Sequence, residues 1–144
     1  MFKSVMTFLL VGLTGFHAVF AQSTVAEKLS DEALLEKVQK QTFAYFWDFA
    51  HPVSGLARER SNKTFGYGDE VTTTGGTGFG VMAIVVATER KWVSRTEATD
   101  RMLKIVNFLA KADAYHGIYP HWLNGSTGKT IPFSRKDDGG DLVE

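Results

Sequence analysis

From Leu29 to Ala50 the positions Leu34, Leu35, Val38, Thr42, Tyr45, Phe46 and Phe49 recur at intervals of three and four, the period of one helix face, and Phe43 and Trp47 widen the stripe. Ser30 suits the N-cap, Asp31 and Glu32 suit the positive first turn, and His51-Pro52 ends the helix because the residue before proline avoids helical backbone angles. Residues 51–78 follow neither the helical nor the strand period and carry Pro52, Gly55, Gly66, Gly68, Gly75, Gly76 and Gly78, so a long loop is predicted there. A loop of that length inside one domain is usually functional. Phe79 to Trp92 shows no polar face before Thr88-Glu89-Arg90, which predicts a helix buried on all sides. Ser94-Arg95-Thr96-Glu97 is a capping box that opens a third helix, with Met102, Ile105, Val106, Leu109 and Ala112 as its apolar stripe, Arg101, Lys104 and Lys111 in water, and Gly117 beyond its end. Ile118–Leu123 and Thr130–Phe133 then flank a polar, glycine-containing turn, a short hairpin that Pro120 and Pro132 confine to a sheet edge. The last residues, Lys136 to Glu144, read as a loop delivering Asp141 as the N-cap of a fourth helix in which the sequence stops, so it is expected to be the N-terminal part of a longer protein.

The first residues follow a different logic. Lys3 precedes the apolar run Val5–Leu13, too short to span a bilayer, and Ala18-Val19-Phe20-Ala21 follows with small or aliphatic residues three and one before a cut. Residues 1–21 are therefore expected to be a signal peptide cleaved after Ala21, with a single domain over 22–144 acting in the periplasm or outside the cell. Sixteen Lys and Arg balance sixteen Asp and Glu, with the signs interspersed, which argues against a nucleic-acid partner held by bulk charge. Without cysteine there is no disulfide framework, thiolate metal site or cysteine nucleophile. A neutral partner is expected, with no cofactor, no metal, and no membrane attachment once the leader is removed.

The chemistry concentrates near the end of the chain. Asp137, Asp138, Asp141 and Glu144 surround the Gly139-Gly140 pair. If Asp141 opens a helix, Glu144 three residues on is its neighbour on the same face. Glycoside hydrolysis needs one carboxylic acid to protonate the leaving oxygen and one carboxylate to activate water or to attack, and nearby like charges push one pKa upward. The same spacing also serves a plain helix cap. The glycine-rich Thr72–Gly80 segment matches neither phosphate-binding fingerprint, so its expected task is close backbone approach at a helix entry, beside a sugar subsite. His51, His116 and His121 share no metal-ligand spacing. His121 is a candidate for a sugar hydroxyl contact. Trp122, Tyr119, Tyr67 and Tyr115, all expected in loops, are candidates to stack on pyranose rings. Arg58, Arg60 and Asp138 could bind sugar hydroxyls; for the two arginines a solvated loop charge is the plainer reading.

Five ordered blocks resemble the bacterial glucoamylase-like family that includes endo-β-1,2-glucanases: Gln41–Ala50, Pro52–Ala57, Gly75–Ala83, Tyr115–Leu123 and Asp138–Glu144. The resemblance implies an all-α fold, the N-terminal portion of an (α/α)6 toroid of twelve helices. It also implies export and hydrolysis of a β-glucan, β-1,2-linked first, with inversion at the anomeric carbon. It favours Asp141 and Glu144 as the acid or base. A rival reading from another class is a periplasmic glycan-binding or scaffold protein that holds sugar in the same groove without cleaving it.

Overall fold

A computed structural model describes residues 29–61, 68–132, 134, 135 and 139–142. The expected leader over 1–21, Tyr67, Asp138 and Glu144 lie outside the described residues, as does the fourth helix expected to follow Asp141. Three helices and three short strands are present among those described: α1 (Asp31–Trp47), β1 (Val71–Thr73), α2 (Thr74–Glu89), α3 (Arg95–Leu109), β2 (Trp122–Asn124) and β3 (Thr130–Ile131). The strands form one antiparallel sheet in the order β1-β2-β3, which corrects the all-α expectation. The hairpin is found where it is expected, but it is not confined to an edge: β2 is the central strand, since Pro120 and Pro132 lie just outside the two strands and block neither ladder. Its partner β1 hides in the predicted loop, because three residues are too few for an alternating pattern to register.

The helix ends follow their caps. Ser30 Oγ accepts from the Ala33 amide at 3.3 Å, and Asp31 and Glu32 occupy the first turn of α1. In α3, Ser94 Oγ accepts from the Glu97 amide at 3.2 Å while Glu97 Oε2 accepts from the Ser94 amide at 2.8 Å, completing the capping box. The Ser94 hydroxyl also donates to Glu97 Oε2 at 2.6 Å, and this bond, followed by the one from the Ser94 amide, holds the Glu97 carboxyl below its ordinary range. Helix α2 starts at Thr74, five residues before the expected Phe79, despite glycines that each cost about 1 kcal/mol in a helix. Tertiary contact offsets that cost. A side chain at Gly76 would meet Thr73 Cγ2 at 2.5 Å, and one at Gly80 would meet the Phe46 ring of α1 at 3.1 Å.

Phe43, Leu56, Ile84, Ala87, Ala98, Ile105 and Leu123 form the core where α1, α2, α3 and β2 meet. Leu56, Ile84 and Leu123 are fully buried, worth roughly 1.5–3 kcal/mol each relative to exposure. Phe43 stacks on Trp47 at 5.5 Å between ring centroids and contacts Trp92 at 5.8 Å. Two expectations are corrected. Helix α2 is buried on one face only, through Thr77, Gly80, Ile84 and Ala87, while Phe79, Met82 and Val85 are 65%, 56% and 59% exposed. Arg101, expected in water, lies 4.3 Å from the centre of the Trp47 ring and donates to the Trp47 carbonyl at 3.0 Å, closing the end of α1.

The loop after α1 is held by a buried imidazole. His51 is 2% exposed and accepts the Val53 amide on Nδ1 at 3.3 Å. Its proton therefore sits on Nε2, 3.4 Å from Glu70 Oε2 beside β1. A side chain at Gly125, in the β2–β3 turn, would meet the His51 ring at 2.5 Å. Burial lowers the His51 pKa and outweighs the Glu70 carboxylate, which acts in the opposite direction.

A folded-state pKa below the ordinary value near 6.5 makes the neutral ring a source of stability. That contribution is fully present above about pH 6.5 and is lost as pH falls from there toward the folded value. The melting temperature should therefore fall between pH 7.5 and 5, and Glu70→Gln, which removes the opposing charge, should enlarge the fall. A melting temperature that is flat across this window in both proteins would contradict the assignment.

Candidate active site

Three pieces of backbone converge beside the N-terminus of α2. The first is β2 and its lead-in. Thr73 pairs with Trp122 in the β1–β2 register, the Thr74 amide donates to the His121 carbonyl at 3.3 Å, and Thr74 Oγ1 donates to the Pro120 carbonyl at 3.0 Å. The second is the loop before β1, where the Ala57 amide donates to Thr77 Oγ1 at 3.0 Å and the Glu59 amide to the Val71 carbonyl at 3.0 Å. The third is Tyr115–Ile118, a tight reversal in which each end residue donates to the other's carbonyl, at 2.8 and 3.0 Å. Its two central residues take left-handed angles, φ 51° at His116 and 85° at Gly117, as a two-residue hairpin turn of this hand requires.

These pieces enclose a cleft of about 1040 Å³ whose wall includes Glu59, Thr74, Gly78, Phe79, Tyr119 and Asp141. Gly75 and Gly76 also line it, which places the expected glycine-rich helix entry at the cleft. The positive end of α2 faces the same space and favours negative charge there.

Asp141 enters from the C-terminal side. Its amide donates to the Tyr119 carbonyl at 2.8 Å, and its Oδ2 lies 2.8 Å from His121 Nδ1. Both side chains are largely buried, 15% exposed for Asp141 and 19% for His121. A side chain at Gly140 would meet Ile118 Cβ at 2.8 Å, so the chain reaches this position only through glycine. The structure thus brings Asp141 and Tyr119 together in the wall of one cleft, with His121 in contact with Asp141. His121, a sugar-contact candidate from sequence, gives its Nδ1 to Asp141.

The other sequence candidates are placed differently. Trp122 is not a loop platform: it lies on β2, 6% exposed, and offers no open ring face to a sugar. Arg58 sits over the Phe49 ring at 5.1 Å, donates through Nε to the Phe49 carbonyl at 3.1 Å, and donates through Nη1 to the Asp69 carbonyl. Its guanidinium therefore ties loop backbone together, and is neither the solvated loop charge that was the plainer reading nor the candidate sugar contact. Arg60 pairs with Glu59 at 3.3 Å. Tyr115 is 62% exposed and packs edge-on against His116. Glu59, Phe79 and Met82, all in the cleft wall, were not singled out by sequence. Glu59 had a faint signal, an acid between Arg58 and Arg60 in a loop too long to be idle.

Two carboxylates beside a helix N-terminus can accept hydrogen bonds from hydroxyl groups, and Phe79 and Tyr119 supply apolar and aromatic surface alongside them. Among the described residues no group of three or more His, Asp or Glu could hold a metal ion.

The family described as "Protein of unknown function (DUF3131)" matches residues 37–139. Over 123 residues the chain is 48% identical to an exo β-1,2-glucooligosaccharide sophorohydrolase (non-reducing end) from Parabacteroides distasonis, spanning 85% of this chain and 16% of that protein. The endo-β-1,2-glucanase from Chitinophaga pinensis, solved with sophorotriose and glucose, superposes with a TM-score of 0.77 at 52% identity, over 81% of this chain and 28% of that one. A candidate glucoamylase from Bacteroides uniformis superposes with a TM-score of 0.76 at 62% identity, again over 81% of this chain and 28% of that one. The chain therefore spans between about a sixth and three-tenths of the relatives that it matches.

Gly140→Ala should force the segment carrying Asp141 away from Ile118, at a cost of about 1–3 kcal/mol, and loosen the Asp141–Tyr119 bond. Chemical denaturation would measure the cost and a crystal structure of the variant would show the displaced carboxylate. An unchanged stability with Asp141 in place would show that the glycine is not needed.

Proposed function

The chain belongs to the DUF3131 family, and from that footing we propose that it is the N-terminal part of an exported glycoside hydrolase that cleaves β-1,2-linked glucan. The observation that carries this reading is a carboxylate, Asp141, held at the wall of a cleft. Two relatives at 48% and 52% identity carry names that state action on β-1,2-glucan or its oligosaccharides. In the proposal the described helices belong to an (α/α)6 toroid. Asp141 and Glu144 serve as acid or base on the glycosidic oxygen and the attacking water, and Tyr119 and Glu59 contact the sugar. A general acid must give its proton to the leaving oxygen as the bond to the anomeric carbon breaks, and a general base must take one from water. Asp141 is suited to the charged role, because a carboxylate that accepts a hydrogen bond from an imidazole N–H is stabilised in its ionised form.

Export is part of the same proposal. It follows from the Lys3, Val5–Leu13 and Ala18–Ala21 pattern and predicts that the mature protein begins at Gln22. Intact mass of the exported product checks this, and a product that retains Met1–Ala21 would contradict it.

Asp141→Asn and Glu144→Gln should each lower turnover of linear β-1,2-glucan by roughly 10²–10⁴-fold while binding of the oligosaccharide is largely kept. Near-wild-type turnover in both variants would remove the pair from the chemistry and leave them as a helix cap.

A further inference from the structure

We infer that His121 is a positioning residue for Asp141: its Nδ1–H holds one carboxylate oxygen so that Asp141 is presented to the cleft ionised and in one rotamer. The inference rests on the hydrolase reading above for its kinetic consequences and on geometry for its basis.

His121 stands at a rigid junction. Its carbonyl takes the first amide of α2 at 3.3 Å, and its neighbour Trp122 pairs with Thr73 in the sheet. Its ring lies 5.8 Å from the buried Trp122 ring. The backbone at His121 is thus fixed by strand and helix, and its ring has an aromatic neighbour beside it. Asp141 is held twice on this frame, by its amide on the Tyr119 carbonyl and by its Oδ2 on His121 Nδ1, both at 2.8 Å.

An ionised carboxylate can only accept a hydrogen bond, so the imidazole proton of the neutral ring must sit on Nδ1. One of the two carboxylate oxygens is then engaged by the ring, and one rotamer is selected. A group that must meet a proton within about 3 Å of a reacting atom gains from being held, and a displacement of 1 Å can cost on the order of 10²-fold in rate. Besides the pair itself, the titratable groups in the described wall of this cleft are Glu59 and Tyr119. The imidazole N–H at 2.8 Å favours the charge on Asp141, as does the positive end of α2 facing the same cleft. With Nδ1 held by Asp141, a direct sugar contact by this ring would have to be made through Nε2.

The test compares His121→Ala with His121→Asn in the full chain, since the asparagine amide nitrogen falls close to the place of Nδ1. On linear β-1,2-glucan, His121→Ala should lower kcat by on the order of 10²-fold with KM little changed. The acidic limb of the pH–rate profile should move up by about one unit, because the hydrogen bond that favours the charged carboxylate is gone. His121→Asn should recover most of kcat and return the limb toward its original pH. A loss confined to KM, or His121→Asn no better than His121→Ala, would overturn the inference in favour of direct sugar contact. A full-length wild-type protein that does not turn over β-1,2-glucan would sink the hydrolase reading, and the pairing is then judged by nitrogen-15 NMR of the histidine rings. Asp141→Asn should release His121 from the Nδ1–H tautomer; an unchanged tautomer would overturn the pairing whatever the substrate.

Discussion

The antiparallel pairing of Val71–Thr73 with Trp122–Asn124 is the constraint on which the rest depends. It joins segments about fifty residues apart in sequence, so it closes a long loop and must offset the entropy of doing so. Burial does much of that. Thr72 and Leu123, opposite each other in the register, are both 0% exposed, and Thr72 Oγ1 donates to the Leu123 carbonyl at 2.9 Å. A buried hydroxyl without such a partner would cost about 1–3 kcal/mol, so the bond specifies the register as well as stabilising it. A slip of one residue would take Leu123 out of its place in the core and break the bond from the Thr72 hydroxyl. Because α2 starts at the residue after β1, fixing the strand also fixes where the helix N-terminus points.

What could be read in the chain follows from which forces are local. Helix α3 and the start of α1 were legible because a cap and a 3.6-residue period act within one or two turns, and Ser30 and Ser94 do what their types predict. The start of α2 was not. Thr74-Gly75-Gly76 has poor helix propensity, and the forces that make it helical come from Pro120 and His121, more than forty residues later. Strand β1 was missed for a related reason, since its partner is distant and its three residues show no alternation.

The site divides along the same line. Asp141 was visible as an acid beside a glycine pair, but its partner was not, because twenty residues and a sheet separate Asp141 from His121. Glycines 139 and 140 suggested a turn, while the need for glycine at 140 arises from the Ile118 side chain pressing on it. Trp122 has the type of a surface platform, an amphipathic aromatic beside a histidine, yet β2 is the central strand and is covered on both faces, so Trp122 and Leu123 are both buried. Arg58 has a planar fork well suited to carboxylates and hydroxyls, and here the same fork is spent on the main-chain carbonyls of Phe49 and Asp69.

Helix α2 shows how cleft and core share one element. Its sequence lacks a polar face, which was taken to mean burial all round. Thr77, Gly80, Ile84 and Ala87 do face the core. Gly75, Gly78, Phe79 and Met82, spaced at three and four, line the cleft on the opposite side. Val85, Thr88 and Glu89 line a second groove toward α3. A helix that lines a cleft on one side and a core on the other has no face that must be polar, so the absence of amphipathicity does not by itself report burial all round. The glycines near its start then have one physical purpose on two sides. At Gly76 and Gly80 they admit Thr73 and Phe46 against the helix backbone. At Gly75 and Gly78 they leave the cleft floor without side chains, where a ligand would approach the backbone close to Asp141.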